Sequence, residues 1–380
     1  MVSPQLFFDT MVASGTSFFT GVPDSLLKHL CACITDNTNQ ESHIIAANEG
    51  NAIALAAGHH LATGTYPVVY MQNSGLGNAV NPLLSLSDKE VYSIPTHLII
   101  GWRGMPSVKD EPQHIKQGRV TPAMLEAMEI PYVVLDNDEN IALTQLKEAY
   151  NHLSEYQRPY ALVVPPQTFS TYFPTHTIDE KQYELTREEA IQLIVQSIPK
   201  HTLIVSTTGM TSRELYEYRV ATNSSHEQDF LVVGSMGHAS QIALGIAQAE
   251  KTKTVLCLDG DGAVLMHMGS LAIVGEQSPE NYIHIVLNNG VHDSVGGQHV
   301  ASRSIDLISI ATACGYKAAI RVETKKELTE VLAKKNPKPM LVEVMTRKGS
   351  RKELGRPKTS PLENKQHFVE HIRNIKKDTL

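Results

Sequence analysis

The sequence predicts an α/β protein built from two doubly wound, parallel-sheet domains. Three observations carry this expectation. Short apolar runs alternate with helix-like segments through both halves of the chain, the pattern of successive βα units. A polar stretch at 165–184, holding Pro165, Pro166 and Pro174, breaks the alternation once and reads as a linker. The length of 380 residues suits two or three domains at roughly 100–200 residues each. The expected division is 1–164, the linker 165–184, and 185–380.

In the first half, strands are expected at 17–22, 42–47, 66–72, 96–102, 131–137 and 160–165. Helices are expected at 24–34, 48–64, after residue 72, at 124–129 following a loop, and at 139–156. The second half opens with a helix at 186–198, where Thr186 stands three residues before Glu189 as in a capping box. Strands follow at 202–208, 230–233, 254–259, 283–289, 317–322 and 341–346, separated by helices at 211–218, 240–250, 269–277, 307–315 and 325–335. The architecture repeats, but the residues do not. Residues 347–380 are basic and polar and read as a tail laid on the surface.

Hydrophobic residues make up 42% of the chain and charged ones 19%, enough for ordinary cores. The 33 Lys and Arg against 40 Asp and Glu give a net charge of -7. Such a chain has no global field for nucleic acid or an anionic membrane, so an anionic ligand needs a local cluster. No apolar run reaches the ~18 residues of a membrane span, and the first residues lack the pattern of a signal peptide. Four cysteines make no disulfide framework; Cys31 and Cys33, in an apolar helix-like stretch, read as core thiols. The expectation is a soluble, cytoplasmic protein acting on a small molecule, without nucleic-acid or membrane partners.

The strongest chemical signal is Gly260-Asp261-Gly262, closing a strand, followed after 25 residues by Asn288-Asn289, closing another. Open α/β sheets bind ligands at the carboxyl ends of such strands. A carboxylate and an amide oxygen are hard ligands that suit Mg²⁺ bridged to phosphates, and the glycines let the backbone approach a diphosphate. A dinucleotide fingerprint would need a third glycine at 265, where Leu265 stands. Each motif alone is compatible with a plain turn; the pair at this spacing on two strand ends argues for a site.

Gly-Asp-Gly followed at this distance by Asn-Asn resembles the signature of thiamine diphosphate enzymes. The order of segments is similar to that family's two core domains, pyrimidine-binding first and diphosphate-binding second, without the central domain of its larger members. It is most similar to the compact decarboxylases of phosphonopyruvate and sulfopyruvate, over nearly all of 1–360. The resemblance implies Asp261 and Asn289 as side-chain ligands of Mg²⁺, with Asn288 as the alternative because the loop is a residue longer than in some members, and the Val291 carbonyl as backbone ligand. It places Gly260, Gly262 and Ala263 against the diphosphate, although many relatives carry a hydroxyl where Ala263 stands. Thr208-Gly209 resembles the opposite diphosphate wall. Gly234-Ser235-Met236-Gly237 resembles the segment whose apolar residue, here Met236, props the cofactor, with the Gly234 carbonyl on its aminopyrimidine; core packing explains a Met there equally well.

Glu49, after a strand and at a helix start, is favourably placed by the helix dipole alone. The family places here the glutamate that hydrogen-bonds the aminopyrimidine and drives proton removal. Asn73 and Gly75, in Asn73-Ser74-Gly75-Leu76-Gly77-Asn78, resemble the glycine-rich loop of the pyrimidine domain. Asp24 and Ser25 follow Val22-Pro23 where decarboxylase relatives put a polar catalytic residue; Asp24 as a helix N-cap is the other reading. His292, just past the metal ligands, and His299 are further candidates among 17 histidines.

Substrate choice is expected in 101–122, where Arg103, Lys109, Lys116 and Arg119 outnumber Asp110 and Glu111, with His114 beside them. A solvated charged loop explains this run; so does a subsite for a small dianion, because an Arg fork matches phosphonate oxygens. Lys-Asp-Glu-Pro-Gln-His and Gln-Gly-Arg, with Gly-Arg-Pro-Lys-Thr-Ser-Pro and Glu-Asn-Lys near the C-terminus, resemble the members acting on phosphonopyruvate. The resemblance implies decarboxylation of 3-phosphonopyruvate to 2-phosphonoacetaldehyde in a homo-oligomer with active sites between subunits. Sulfopyruvate decarboxylation, a carboligase, a non-catalytic regulatory subunit and a nucleotide-binding oxidoreductase are the rival readings.

Overall fold

The computed structural model describes residues 1–175 and 182–377. They form two compact units, the first drawn from 1–175 and Val295–Gln298, the second from 182–294 and 299–377; residues 176–181 of the expected linker lie outside the described residues. In the first unit β1 (Phe19–Gly21), β2 (His43–Ile45), β3 (Val68–Gln72), β4 (His97–Gly101), β5 (Tyr132–Val134) and β6 (Tyr160–Val164) pair in the order β2-β1-β3-β4-β6-β5. Every pairing is parallel. Alternate residues of each central strand feed opposite cores. Val68 and Tyr70 pack with Phe7, Leu30 and Leu146, whereas Val69 and Met71 pack with Ala52, Leu76 and Leu125. Burial on both faces is why these strands read as unbroken apolar runs.

The second unit repeats this plan with β7 (Leu185–Thr186), β8 (Leu203–Ser206), β9 (Asp229–Leu231), β10 (Val255–Gly260), β11 (Tyr282–Asn288), β12 (Ala318–Val322) and β13 (Met340–Arg347). The order is β12-β13-β11-β10-β8-β9, with β7 beside β13. Leu256 and Leu258 face one core, Val255 and Cys257 the other. Both units are therefore doubly wound, as expected. The helix Arg187–Ser197 carries the expected capping box of Thr186 and Glu189. Cys31 and Cys33 are buried in the core. No helix among the described residues is long and apolar enough to cross a membrane.

Three local expectations are corrected, and one short strand was not foreseen. The helix expected at 24–34 begins at Lys28 with Leu27 as N-cap, because the Asp24 carboxylate accepts the Leu26 N–H at 3.0 Å and holds 25–27 in bends. The loop expected before 124 is largely helix, Pro112–Ala127. Pro112 suits the first turn. Pro122 cannot donate to the Gly118 carbonyl, and the Trp102 indole N–H does so instead, at 2.8 Å. The two-residue strand β7 was too short to carry a periodic signal. Finally, the described part of the expected tail 347–380 is no surface tail: β13 runs to Arg347, and the helix Pro361–Lys377 brings Phe368 into a core with Leu244 and Leu307. Its basic composition masks that apolar anchor. The start of the segment expected as linker packs on the first unit, where Val2 donates to the Thr168 carbonyl at 2.8 Å and Phe169 meets Phe7 edge-on at 5.2 Å.

Candidate active site

In the first unit the strand order reverses between β1 and β3, so a crevice opens at their carboxyl ends. Asp24 lies there, fully buried. Its Oδ1 accepts Gln72 Nε2 at 2.6 Å, and a Cβ on Gly101 would overlap its other oxygen. Burial raises the carboxyl pKa, against the opposing pull of Gln72, the Leu26 N–H and Arg103. Since the helix starts at Lys28, capping is not Asp24's role. Glu49 is the first residue of the helix Glu49–Thr63, whose N-cap Asn48 accepts the Asn51 N–H at 2.9 Å. Its buried carboxylate accepts Asn78 Nδ2 at 2.7 Å and is pressed against Gly75.

The Asn73 amide is spent within this unit. It donates to the Arg103 carbonyl at 2.8 Å and to Thr121 Oγ1 at 2.9 Å, and accepts the Arg103 N–H at 3.2 Å. Arg103, thus fixed, forks onto Asp110 through Nε at 2.8 Å and Nη2 at 2.5 Å, and gives Nη1 to Ser25 Oγ at 2.9 Å. Burial raises the Asp110 carboxyl pKa, but the Arg103 fork and the Gly104 N–H outweigh it and hold it below the ordinary range. Burial, with Arg103 adding to it, pushes the His114 imidazole down to about 4. Its Nδ1 meets no hydrogen-bond partner among the described residues. The loop lies flat on the helix because Gly104 and Gly118 leave no side chain between them. Of the four expected substrate residues, Arg103 and His114 are brought together around Asp110; Lys109 and Arg119 are exposed.

In the second unit the reversal falls between β8 and β10, placing Thr208-Gly209 and Gly260-Asp261-Gly262 at one crevice. Asp261 is buried, and its Oδ2 accepts Ser302 Oγ at 2.6 Å and the Gly290 N–H at 3.0 Å. Both donors also reach Asn288 Oδ1, each at 3.1 Å. Burial pushes the Asp261 carboxyl up to about 6. Asn289 instead accepts the Val291 N–H at 3.1 Å and donates to Asp293 Oδ2 at 2.7 Å. The oxygen that shares donors with Asp261 is thus Asn288's. Gly290 has φ +75°, and a Cβ there would stand 2.5 Å from Arg303 Nε. Gly262 is where two side chains converge: a Cβ would meet His292 Cε1 at 3.1 Å and Met236 Cε at 3.4 Å. Burial pushes the His292 imidazole down to about 4. Gly234 donates its N–H to Thr208 Oγ1 at 3.0 Å, joining the two expected walls. Ala263 brings no hydroxyl; the one reaching Asp261 is Ser302's.

Several supporting residues escaped the sequence. Asn288 Nδ2 donates to Glu343 Oε1 at 2.8 Å, and Glu343 takes Arg321 Nε at 2.6 Å. Asp293, which holds Asn289, accepts Arg187 Nη1 at 2.8 Å, and Arg187 forks onto Glu214. Asp259 accepts the Gly260 N–H at 3.0 Å and approaches His284 Nε2 at 3.4 Å; His284 Nδ1 meets the Tyr316 hydroxyl at 3.0 Å. Charged residues inside apolar strands, such as Glu343 and Asp259, were the available signal.

Residues 1–125 match the family described as thiamine pyrophosphate enzyme, N-terminal TPP binding domain, and residues 207–344 match its C-terminal TPP binding domain. A phosphonopyruvate decarboxylase of Streptomyces viridochromogenes is 36% identical over 93% of this chain and 91% of its own. The chain belongs to the phosphonopyruvate decarboxylase family of thiamine pyrophosphate enzymes. A phosphonopyruvate decarboxylase of Streptomyces hygroscopicus is 35% identical over 97% of this chain and 94% of its own. A sulfopyruvate decarboxylase of Methanosarcina acetivorans is 29% identical over 88% of each. Membership in this decarboxylase family makes the chain a carbon–carbon lyase with thiamine diphosphate as its cofactor. The Gly-Asp-Gly turn, Asn288-Asn289, Thr208-Gly209 and the 234–237 loop all fall within the matched C-terminal domain, and Glu49, Asn73 and Gly75 within the N-terminal one.

Proposed function

We propose that this chain decarboxylates 3-phosphonopyruvate to 2-phosphonoacetaldehyde and CO2 with thiamine diphosphate and Mg²⁺, as a step of phosphonate biosynthesis. The observation that carries the substrate is the end-to-end likeness to two phosphonopyruvate decarboxylases. The donor set fits Mg²⁺: a buried carboxylate from Asp261 at the end of β10, and the amide oxygens of Asn288 and Asn289 with the Val291 carbonyl at the end of the neighbouring β11, are all hard oxygens. Asn289 would serve as ligand after releasing the Val291 N–H; Asn288 is already beside Asp261.

When bound, thiamine diphosphate supplies the electron sink that decarboxylation of a 2-oxo acid requires. Glu49 holds a carboxyl group oriented by Asn78 that would share its proton with the ring nitrogen at the aminopyrimidine edge. Gly234 and Met236 form one wall and Thr208-Gly209 the other, and the bare backbone of Gly260 and Gly262 admits the diphosphate. Asp24 retains a proton more readily than an exposed aspartate, so it can donate one in the crevice of its domain. Arg103, its fork held by Asp110, offers its charge and remaining N–H groups to the phosphonate, with Ser25 and His114 beside it. His292 packs on Gly262 and completes the apolar side of the turn. A homo-oligomer with active sites between subunits belongs to the same proposal, and light scattering tests it.

One observation favours sulfopyruvate as a second reading: Asp110 already offsets the Arg103 charge, which suits the singly charged sulfonate. Aldehyde release from phosphonopyruvate, sulfopyruvate and pyruvate, each offered with thiamine diphosphate and Mg²⁺, separates the readings. Turnover of phosphonopyruvate far above the others is expected; preference for sulfopyruvate overturns the substrate and leaves the cofactor assignment standing.

A further inference from the structure

We infer that the C-terminal segment 351–364 is a clamp that positions both walls of the diphosphate pocket, with Asn364 as the positioning residue for the 234–237 wall. β9 is the edge strand of the second sheet, so one of its ladders lacks a strand partner. The Asn364 amide takes that place. Its Oδ1 accepts the Leu231 N–H at 3.0 Å and its Nδ2 donates to the Asp229 carbonyl at 2.8 Å, as a neighbouring strand would. Asn364 is buried. It is fixed by the helix Pro361–Lys377, whose start is capped by Ser360 and Glu363, and by Phe368, which packs on Phe230 of β9 at 5.6 Å. Leu231 is the last residue of β9, and Val232 and Val233 alone separate it from Gly234-Ser235-Met236-Gly237.

The same segment grips the other wall. The helix Met210–Ala221 begins immediately after Thr208-Gly209. Its Arg213 donates Nε to the Gly355 carbonyl at 2.6 Å and Nη2 to the Leu354 carbonyl. Its Glu217 accepts the Gly355 N–H at 2.6 Å and pairs with Arg351. A Cβ on Gly355 would overlap the Glu217 carboxylate, so the contact is close. With Gly234 bonded to Thr208, both walls are tied to each other at the pocket and to one segment behind it. Holding the walls at their working separation before the cofactor arrives spares the cost of ordering them on binding.

The clamp rests on thiamine diphosphate lying between these walls. The test is calorimetric titration of thiamine diphosphate into the Mg²⁺-loaded full chain, beside the melting of the cofactor-free protein and steady-state kinetics. Asn364→Leu keeps the volume and removes both hydrogen bonds. It is expected to weaken cofactor binding about tenfold, while kcat at saturating cofactor and KM for the oxo acid stay within about twofold. Glu217→Gln, on the other wall, is expected to weaken binding in the same sense and serves if Asn364→Leu does not fold. Wild-type cofactor affinity in either folded variant overturns the clamp, as does a loss of melting temperature without a change in affinity. Asp261→Ala separates the two levels. If it too binds cofactor like wild type, the pocket itself is misplaced; if it alone loses binding, only the clamp fails.

Discussion

The carboxylate of Glu49 fills the space that a side chain on Gly75 would need: an added Cβ would stand 2.5 Å from Glu49 Cδ and nearer still to Oε1. Gly75 has an ordinary helical φ of -72°, so the backbone itself tolerates a side chain there. Gly75→Ala is therefore expected to act on the carboxylate rather than on the fold. It should lower kcat by about 10²-fold or more, approaching Glu49→Gln, with circular dichroism unchanged. Wild-type turnover in Gly75→Ala would show that the Glu49 position does not matter to the chemistry.

Ser302 donates to Asp261 and touches Asn288 from 14 residues further along the chain. Groups that orient a metal ligand change affinity by about 10–100-fold when removed. Ser302→Ala is expected to raise the Mg²⁺ concentration needed for half-maximal cofactor binding by about tenfold, and Asp261→Ala to abolish the Mg²⁺ dependence. An unchanged Mg²⁺ titration in Ser302→Ala would remove Ser302 from the metal's surroundings.

What the sequence disclosed and what it hid follow from where the information lies. β3, β4, β10 and β11 were legible because both faces of a central parallel strand are buried, which leaves an apolar run in the sequence. Asp261 and Glu49 were legible because each lies beside a strand end in a local pattern. Asn78, Ser302 and Arg187 were not, since each acts across tens of residues, and a lone Asn, Ser or Arg has no periodicity. The helix Pro112–Ala127 was hidden by Pro122, whose missing hydrogen bond is replaced by the remote Trp102 indole. Asn364 replaces a whole strand with one amide, which composition cannot show.

Arg103 is fixed by a bidentate pair with Asp110 and a third bond to Ser25, and its side chain is 18% exposed. A lysine would keep the charge and lose the fork. Arg103→Lys is expected to raise KM for the oxo acid about tenfold with a smaller change in kcat, the mark of a group that binds the remote end of the substrate. Unchanged kcat/KM for every oxo acid tested would place substrate recognition elsewhere.

His97 is buried in β4 against the edge of Tyr150, at 4.9 Å between ring centres, and neither ring nitrogen has a hydrogen-bond partner among the described residues. Burial pushes its pKa down to about 3, below the ordinary value near 6.5. Because the folded value is the lower one, its contribution is fully present above pH 6.5 and is lost as pH falls toward 3. This single group should cost on the order of 2 kcal/mol of stability between pH 7 and pH 5. Urea unfolding at both pH values checks it: His97→Leu should lose less stability over this interval than wild type, and an equal loss in both would assign the acid sensitivity to other groups.

The Trp102–Gly118 bond is a replacement for the one Pro122 cannot make, and that gives a two-residue test. Trp102→Phe leaves the Gly118 carbonyl without its indole donor inside the protein, at about 1–3 kcal/mol. Pro122→Ala restores an N–H four residues from that carbonyl, where an ordinary helix would bond it. In the double variant the helix supplies the donor, so the cost of losing the indole should shrink by about 1 kcal/mol relative to the sum of the single changes. Chemical denaturation followed by circular dichroism measures all four proteins. Strict additivity would mean that the indole bond and the helix bond do not serve the same carbonyl, and that the helix owes its passage through Pro122 to packing of Gly104 on Gly118 instead.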